Sequence, residues 1–362
     1  MPPSQPRMET KPPAPVKIGT HTIDATSSPF IIAEVGVNHN GQVTIARQLI
    51  DAAHQAGVHA VKFQVFSADT LVSTEAPSAS YQTAAGCDSS QYAMLKGLEL
   101  QPKDFAQLAD YCRSLGLSFL ATPFGVQDVQ TVVDLGAPAL KIASTDLNDV
   151  PILEAALASR LPLIVSTGAS ELSEIDEATA LFREHGAAQR LVLLHCVSSY
   201  PTAISEAALS TIRLLRDRYR VWTGFSDHTE IVESGGLAVA AGAKVLEKHI
   251  TLDRSWPGPD QAFSLTPDML KRYVESAQMG WQMLGTPREG VAESEKEVRQ
   301  VSRKSVVARV TIRKGERITA EHLAIKRPGG GIEPKDWLSL VGKVAQRDIS
   351  RDAQIGWDMV NG

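Results

Sequence analysis

The chain predicts an α/β fold, a (β/α)8 TIM barrel followed by a small β-rich domain, and three observations carry that expectation. Eight short runs rich in β-branched and apolar residues alternate with segments of helical spacing between about residues 30 and 285. Polar and ionisable residues gather at the C-terminal ends of these runs, the end at which barrels of this kind place their chemistry. Beyond about residue 300 the alternation stops, and short β-like pieces separated by turns replace it.

Residues 1–16, opening "MPPSQPRMET", are proline-rich and polar and are expected to form a disordered tail without the apolar core of a secretory signal. The barrel is expected over 17–285. Its strands are "FIIAEVGVN", ending in Glu34 and Asn38; "HAVKFQVF", with Lys62 and Gln64; "LSFLATPF", with Thr122; and "ALKIAS", with Lys141 and Ser144. Then come "LPLIVSTG", with Ser166 and Thr167; "RLVLLHCV", with His195 and Ser198 just beyond; "YRVWTGFSDH", with Ser226, Asp227 and His228; and "AKVLEKHI", with Glu247, Lys248 and His249. Helical segments such as "TIARQLIDAAHQAG" and "PKDFAQLADYCRSLG" separate them. A doubly wound open sheet is the structural alternative, but no G-x-G-x-x-G follows the first strand. The connection after "VKFQVF" runs for more than 30 residues and is expected to be a lid or rim element. A charged linker is expected over 286–302 and the second domain over 303–362, with an internal echo in "IRKGERI" and "ISRDAQI".

Composition limits the functional classes. With 36 Lys+Arg against 41 Asp+Glu, a net charge of -5 and no long basic run, nucleic acid is not an expected partner. Cys87, Cys112 and Cys196 show no C-x-x-C spacing and suit a reducing, cytoplasmic setting. No apolar run approaches the roughly 18 residues of a membrane span, so a soluble protein is expected.

The period of two in a strand puts Lys62 with Gln64, Ser226 with His228, and Glu247 with His249 on common faces. His228 and His249, at the tips of consecutive strands, read either as ligands of one metal ion or as hydrogen-bonded structural histidines. His195 reads as structural, and His21, His54, His185 and His322 as surface residues. Lys62 and Lys141, with hydroxyls from Thr122, Ser144 and Ser226, favour an anionic, phosphate-bearing substrate. Glu34 adds a carboxylate suited to acid or base work.

In this order, "IIAEVGVNHNG", "VKFQ", "LATPF", "LKIAS", "STG", "HCVSSYPT", "GFSDHT", "LEKHITLDR", "PGPD", "SRKSVVA" and "KRPGGG" resemble the sialic acid (N-acetylneuraminate) synthases, including their legionaminate and pseudaminate relatives. The resemblance covers nearly the whole chain after residue 16. It implies a TIM barrel joined to an antifreeze-like (SAF) domain in a domain-swapped homodimer. The implied reaction condenses phosphoenolpyruvate with an N-acetylated amino sugar such as N-acetylmannosamine, giving a nine-carbon sugar acid and phosphate by C–O cleavage. It further implies a divalent metal ion, Mn2+ or Mg2+, on His228 and His249; phosphoenolpyruvate on Lys62, Lys141, Thr122, Ser144 and Ser226; and Gln64 and Glu247 lining the same cavity. Glu34 is implied to handle the proton of the water or tetrahedral intermediate, Asp260 and Tyr200 to hold the sugar, and Arg327 to reach the partner's site. Ser198, Asp146 and Lys248 stand where asparagine, glutamate and arginine are common in the family. Ser198 and Asp146 are placed near the acceptor, which keeps a 6-phosphorylated or a diacetamido sugar open. Two competing readings are a Schiff-base aldolase using Lys62 or Lys141 without metal, and a non-enzymatic carbohydrate-binding protein.

Overall fold

The computed structural model describes residues 12–77 and 90–361. The chain divides into two compact units, to Gly285 and from Thr286. In the first, an antiparallel hairpin of β1 (Val16–Ile18) and β2 (His21–Ile23) precedes eight parallel strands. These are β3 (Phe30–Gly36), β4 (Ala60–Val65), β5 (Ser118–Pro123), β6 (Leu140–Ile142), β7 (Leu163–Ser166), β8 (Leu191–Cys196), β9 (Trp222–Asp227) and β10 (Val245–His249). They pair in the order β5-β4-β3-β10-β9-β8-β7-β6, and β5 lies against β6, closing the barrel. The predicted fold class is the observed one.

Alternation explains the two cores. Outward residues such as Ile31, Ala33 and Val35 of β3 pack on Ala46, Leu49 and Ile50 of the helix Val43–Ala56, and the same layer continues around the barrel. Inward residues near the strand starts, among them Phe30, Ile32, Leu120, Ile164, Val192 and Trp222, form a second core, which Val16, Ile18 and Ile23 of the hairpin join. The hairpin thus plugs the lower end, and Trp222 Nε1 donates to the carbonyl oxygen of Ala14 at 2.7 Å. Two three-residue strands carry too little periodicity to be read from sequence. The plug also corrects the surface reading of His21, whose half-buried ring stands 4.8 Å from that of His59 and 5.2 Å from Phe30.

The long connection after β4 contains the helices Ala68–Leu71 and Gln91–Leu98, tied together by Tyr92 Oη on Asp69 at 2.6 Å and Lys96 on Asp69 at 2.9 Å. The central part of the expected lid, residues 78–89, and Cys87 with it, lie outside the described residues, as do residues 1–11 of the expected tail. In the second unit, a helix, Lys296–Ser302, occupies part of the stretch expected to be linker. β11 (Ser305–Ala308) then pairs with β12 (Leu323–Lys326) over a core that includes Ile312, Ile318, Ile349 and Ile355. These four are the isoleucines of the sequence echo, and Ile312 and Ile349 exchange backbone hydrogen bonds at 2.9 and 2.8 Å.

Candidate active site

The interior of the barrel changes character over one step of two residues. Below stand Ile32, Ala60, Leu120, Ala139, Ile164, Gly224 and Val245; two residues further along the same strands stand Glu34, Lys62, Thr122, Lys141, Ser166, Ser226 and Glu247, all buried. A side chain at i+2 points the same way as one at i, so an apolar floor carries a ring of polar groups at the C-terminal ends of the strands. Register sets the neighbours: Glu34 pairs with Lys62, Gln64 with Thr122, Glu247 with Ser226, and His249 with Glu34.

Two ammonium and two carboxylate groups lie at the centre. Lys62 Nζ is 2.8 Å from Glu34 Oε2, 3.7 Å from Glu247 Oε2, and donates to Thr122 Oγ1 at 2.8 Å. Lys141 Nζ is 3.9 Å from Glu247 Oε1 and donates to its neighbour Ile142 O at 3.0 Å. Ser226 Oγ donates to Glu247 Oε1 at 2.9 Å, and Gln64 Nε2 to Glu34 Oε1 at 3.4 Å. Burial, reinforced by the charge of Glu247 and opposed by Lys62, pushes the Glu34 carboxyl up to about 7. For Glu247 burial acts upward too, but Lys141 and Lys62 together hold it below the usual carboxylate range. The members of such a cluster partner one another, which offsets part of the cost of burying them. Gly36 turns out of β3 with a left-handed φ of +55°, and a Cβ there would stand 3.3 Å from Glu34 Oε1.

Beside this cluster the rings of His228 and His249 lie 5.4 Å apart, centroid to centroid. His228 Nδ1 is bonded to Val197 O at 2.8 Å, which leaves Nε2 for another partner. Burial and the neighbouring His228 hold His249 well below its usual range, and its buried Nδ1 has no hydrogen-bond partner. Asp260 Oδ2 is 3.7 Å from that nitrogen, and burial pushes its carboxyl up to about 6. Tyr200 packs its ring 4.3 Å from that of His228. No group of three or more His, Cys, Asp or Glu side chains suited to a metal ion occurs among the described residues. The two imidazoles, one with an orphaned nitrogen and one oriented by a carbonyl, nevertheless fit a divalent ion that completes its shell with water and substrate.

All of these groups line one cavity of about 510 Å3, together with Ser144, Asp146, Ser166 and Ser198. Burial pushes the Asp146 carboxyl up to about 6. Ser144 Oγ accepts from Gly168 N at 2.9 Å. A Cβ on Gly168 would collide with Ser198 Oγ and come within 3.0 Å of Cys196 Sγ and Ser144 Oγ. Arg327 belongs to the second unit, where it is exposed just after β12. His195 Nε2 is bonded to Ala207 O at 2.8 Å, outside the cavity. Lys248 faces the barrel wall, buried against Asp227 at 3.0 Å and donating to Thr229 O, so it is ion-paired and not solvated. Asn38 braces the loop after β10, donating to Ile250 O at 2.8 Å and Ser264 Oγ at 2.9 Å.

Ser166 is a site residue that the sequence reading placed at a strand tip without giving it a role; its buried hydroxyl lines the cavity and lacks a partner. The step of two above Ile164 was the available signal. The apolar wall formed by Leu71, Val72, Met94, Leu95 and Phe124 had no such signal, since it comes from two short helices and the connection after β5.

Comparison with known proteins identifies the family. The profile of the NeuB family matches residues 49–289, and that of the SAF domain matches 303–361. N,N'-diacetyllegionaminic acid synthase of Legionella pneumophila is 38% identical over 91% of this chain and 94% of that protein. N-acetylneuraminate-9-phosphate synthase of Drosophila melanogaster is 32% identical over 91% of this chain and 95% of that protein. The crystal structure of N-acetylneuraminic acid (sialic acid) synthetase from Leptospira borgpetersenii, in complex with citrate, superposes with a TM-score of 0.72 at 34% identity, covering 79% of this chain and 95% of that one. A polar ring on a barrel floor, followed by a SAF domain, thus belongs to a known class, and this chain is a member of the NeuB family of sialic acid synthases.

Proposed function

We propose that the protein condenses phosphoenolpyruvate with the open-chain aldehyde of an N-acetylated amino sugar, N-acetylmannosamine or a related hexose, and with water, giving a nonulosonate and inorganic phosphate. The observation that carries this reading is a single cavity in which Lys62 and Lys141 face the carboxylates of Glu34 and Glu247 beside two imidazoles. The lysines bind the phosphate and carboxylate of phosphoenolpyruvate by charge-assisted hydrogen bonds, with Thr122, Ser144, Ser166 and Ser226 as hydroxyl partners. Gln64, Asp146, Ser198, Tyr200 and Asp260 hold the sugar. His228 and His249 hold a divalent ion, manganese or magnesium, which when bound polarises the aldehyde oxygen as a Lewis acid.

C3 of phosphoenolpyruvate then forms a bond to the aldehyde carbon, leaving positive charge at C2. The buried carboxylates of Glu34 and Glu247 are the groups in the cavity suited to stabilise that charge. The aldehyde C=O π bond opens to an alkoxide as the new C–C bond forms. Water adds at C2, and Glu34 takes one of its protons and passes it to the alkoxide. The C2–O bond to phosphate breaks as the C2 hydroxyl becomes the ketone, its proton leaving with the phosphate. The 38% identity to a diacetyllegionaminic acid synthase favours a second reading of the acceptor, a diacetamido sugar.

Phosphate release should require phosphoenolpyruvate and an N-acetylated hexose together. Solvent 18O should enter the sugar acid and not the phosphate. Release without an acceptor, or label in the phosphate, would refute the reaction. In the same assay Lys141→Ala should raise KM for phosphoenolpyruvate by about 100-fold, the order expected when a buried charge-assisted contact is lost. It is a cleaner variant than Lys62→Ala, which also strips Glu34 of its 2.8 Å partner. Borohydride trapping of pyruvate on either lysine with metal removed would favour the aldolase instead.

The protein is further proposed to act as a homodimer in which Arg327 reaches the partner's site and contacts the acetyl group of the acceptor. Arg327→Ala chains carry an intact barrel and Glu34→Ala chains an intact Arg327. Mixed under subunit exchange, the two should regain part of the activity. Heterodimers that form without regaining turnover would show that Arg327 does not act across subunits.

A further inference from the structure

Where the loop after β3 meets the loop after β10, four polar side chains that the reaction does not use are buried together: Asn38, Thr251, Gln261 and Ser264, each 1% exposed or less. Burying amides and hydroxyls costs free energy unless each finds a partner, and here nearly all do. Gln261 Nε2 donates to Asn38 O and to Asn40 Oδ1, both at 3.1 Å, and its Oε1 accepts from Thr251 Oγ1. Asn38 Nδ2 donates to Ile250 O at 2.8 Å and to Ser264 Oγ at 2.9 Å, and Ser264 Oγ donates in turn to Asp260 O. Asn40 Nδ2 donates to Pro257 O at 3.1 Å. Of these groups only Asn38 Oδ1 is buried without a partner. Gly258 completes the fit: its φ is +147°, and a Cβ there would stand 3.0 Å from Gln261 Cγ and 3.1 Å from Asn40 Oδ1.

The network closes on Asp260 from both sides. The carbonyl oxygen of Asp260 is held through Ser264, and the side chain of the next residue, Gln261, ties the chain to the loop after β3. The Asp260 carboxylate itself lines the cavity, with Oδ2 3.7 Å from His249 Nδ1. None of Asn38, Asn40, Thr251, Gln261 and Ser264 lines that cavity, so they act on a substrate only through what they hold. A satisfied network of buried hydrogen bonds specifies one geometry, which a loop packed by apolar contacts alone does not.

We infer that Gln261 is a positioning residue for the acceptor: by anchoring the loop after β10 to Asn38 and Asn40, it fixes the Asp260 carboxylate beside His249, where that carboxylate accepts a hydroxyl or amide proton of the sugar. The inference rests on the condensation, and on the hold of Asp260 on the sugar, proposed above. Phosphoenolpyruvate, assigned to Lys62 and Lys141 at the strand tips, does not depend on this loop. Loosening the network therefore weakens one substrate and spares the other.

The test is the phosphate-release assay, with the better of N-acetylmannosamine and a diacetamido hexose as acceptor. Gln261→Met keeps the length of the side chain and removes its three hydrogen bonds. It should raise KM for the acceptor by about tenfold, the scale of one net hydrogen bond lost to the sugar, and leave KM for phosphoenolpyruvate within about twofold. Asp260→Ala should raise the acceptor KM by about tenfold or more. Adding Gln261→Met to Asp260→Ala should then change it by no more than about twofold, because no carboxylate is left to place. A role in stability alone would instead weaken both substrates, and its effect would multiply with that of Asp260→Ala. Asn40→Gly is the milder variant: it removes one bond to Gln261, and glycine accepts the φ of +49° found there. If Gln261→Met does not fold, Asn40→Gly, alone and with Asp260→Ala, decides by the same comparison, with a rise of about threefold expected. An unchanged acceptor KM, equal rises in both KM values, or effects that multiply overturn the inference and leave the condensation standing. A wild type that releases no phosphate with either sugar refutes the condensation, and the inference with it.

Discussion

His249→Ala is expected to lower kcat/KM by about 10^3-fold or more, because loss of one of the two proposed metal ligands would remove Lewis-acid polarisation worth several kcal/mol in the transition state. The structure makes this variant informative. His249 Nδ1 has no hydrogen-bond partner to lose, and the residue sits at the end of β10, whose backbone pairing with β3 does not depend on the side chain. The fold should therefore survive, as circular dichroism and an unchanged melting temperature would show. Manganese binding followed by electron paramagnetic resonance should weaken in parallel with activity. His228→Ala should behave alike, with a further small loss of stability because its bond to Val197 O is broken. Chelation should abolish turnover in the wild type, and added manganese or magnesium should restore it. Full activity of either variant, or of metal-stripped protein, would remove the ion from the mechanism.

Glu34→Gln is expected to lower kcat by about 10^2- to 10^4-fold, the range of a positioned general base. It should also change the pH profile. With the Glu34 carboxyl pushed up to about 7 by burial, the proton-accepting carboxylate predominates above that pH and is lost below it. In the wild type kcat/KM should then fall about tenfold per pH unit as the pH drops below 7, since this profile reports ionisations of the free enzyme. Glutamine keeps the shape and cannot ionise, so the acid limb should flatten. Lys62 retains Glu247 as a partner at 3.7 Å in this variant, which keeps the barrel's ion cluster from being left with a lone cation. An unchanged acid limb in Glu34→Gln would assign the ionisation elsewhere and take the base role from Glu34.

The sequence by itself determined the barrel and the floor of its site. A parallel strand buried on both faces reads as a continuous apolar run, so a charge near its C-terminal end stands out, and the alternation of side chains says which charges share a face. That logic assembles Glu34, Lys62, Lys141, Glu247 and His249 from four of the eight strands without coordinates. The isoleucine echo in the second unit was legible for the same reason, because apolar residues six apart around a turn return to one core. Tertiary structure decided what periodicity does not encode. It paired Lys248 with Asp227 in the wall and left Lys62 and Lys141 in the cavity, although all three are lysines on buried strands. It brought a hairpin of two three-residue strands under the barrel and an apolar wall from the connections after β4 and β5 over its mouth. The helices that carry Leu71 and Met94 are only one or two turns long and Phe124 follows the end of β5, so their contacts follow from where the chain returns in space. Which charges of the cavity are already paired is likewise a matter of distances across the barrel that no single segment of sequence contains.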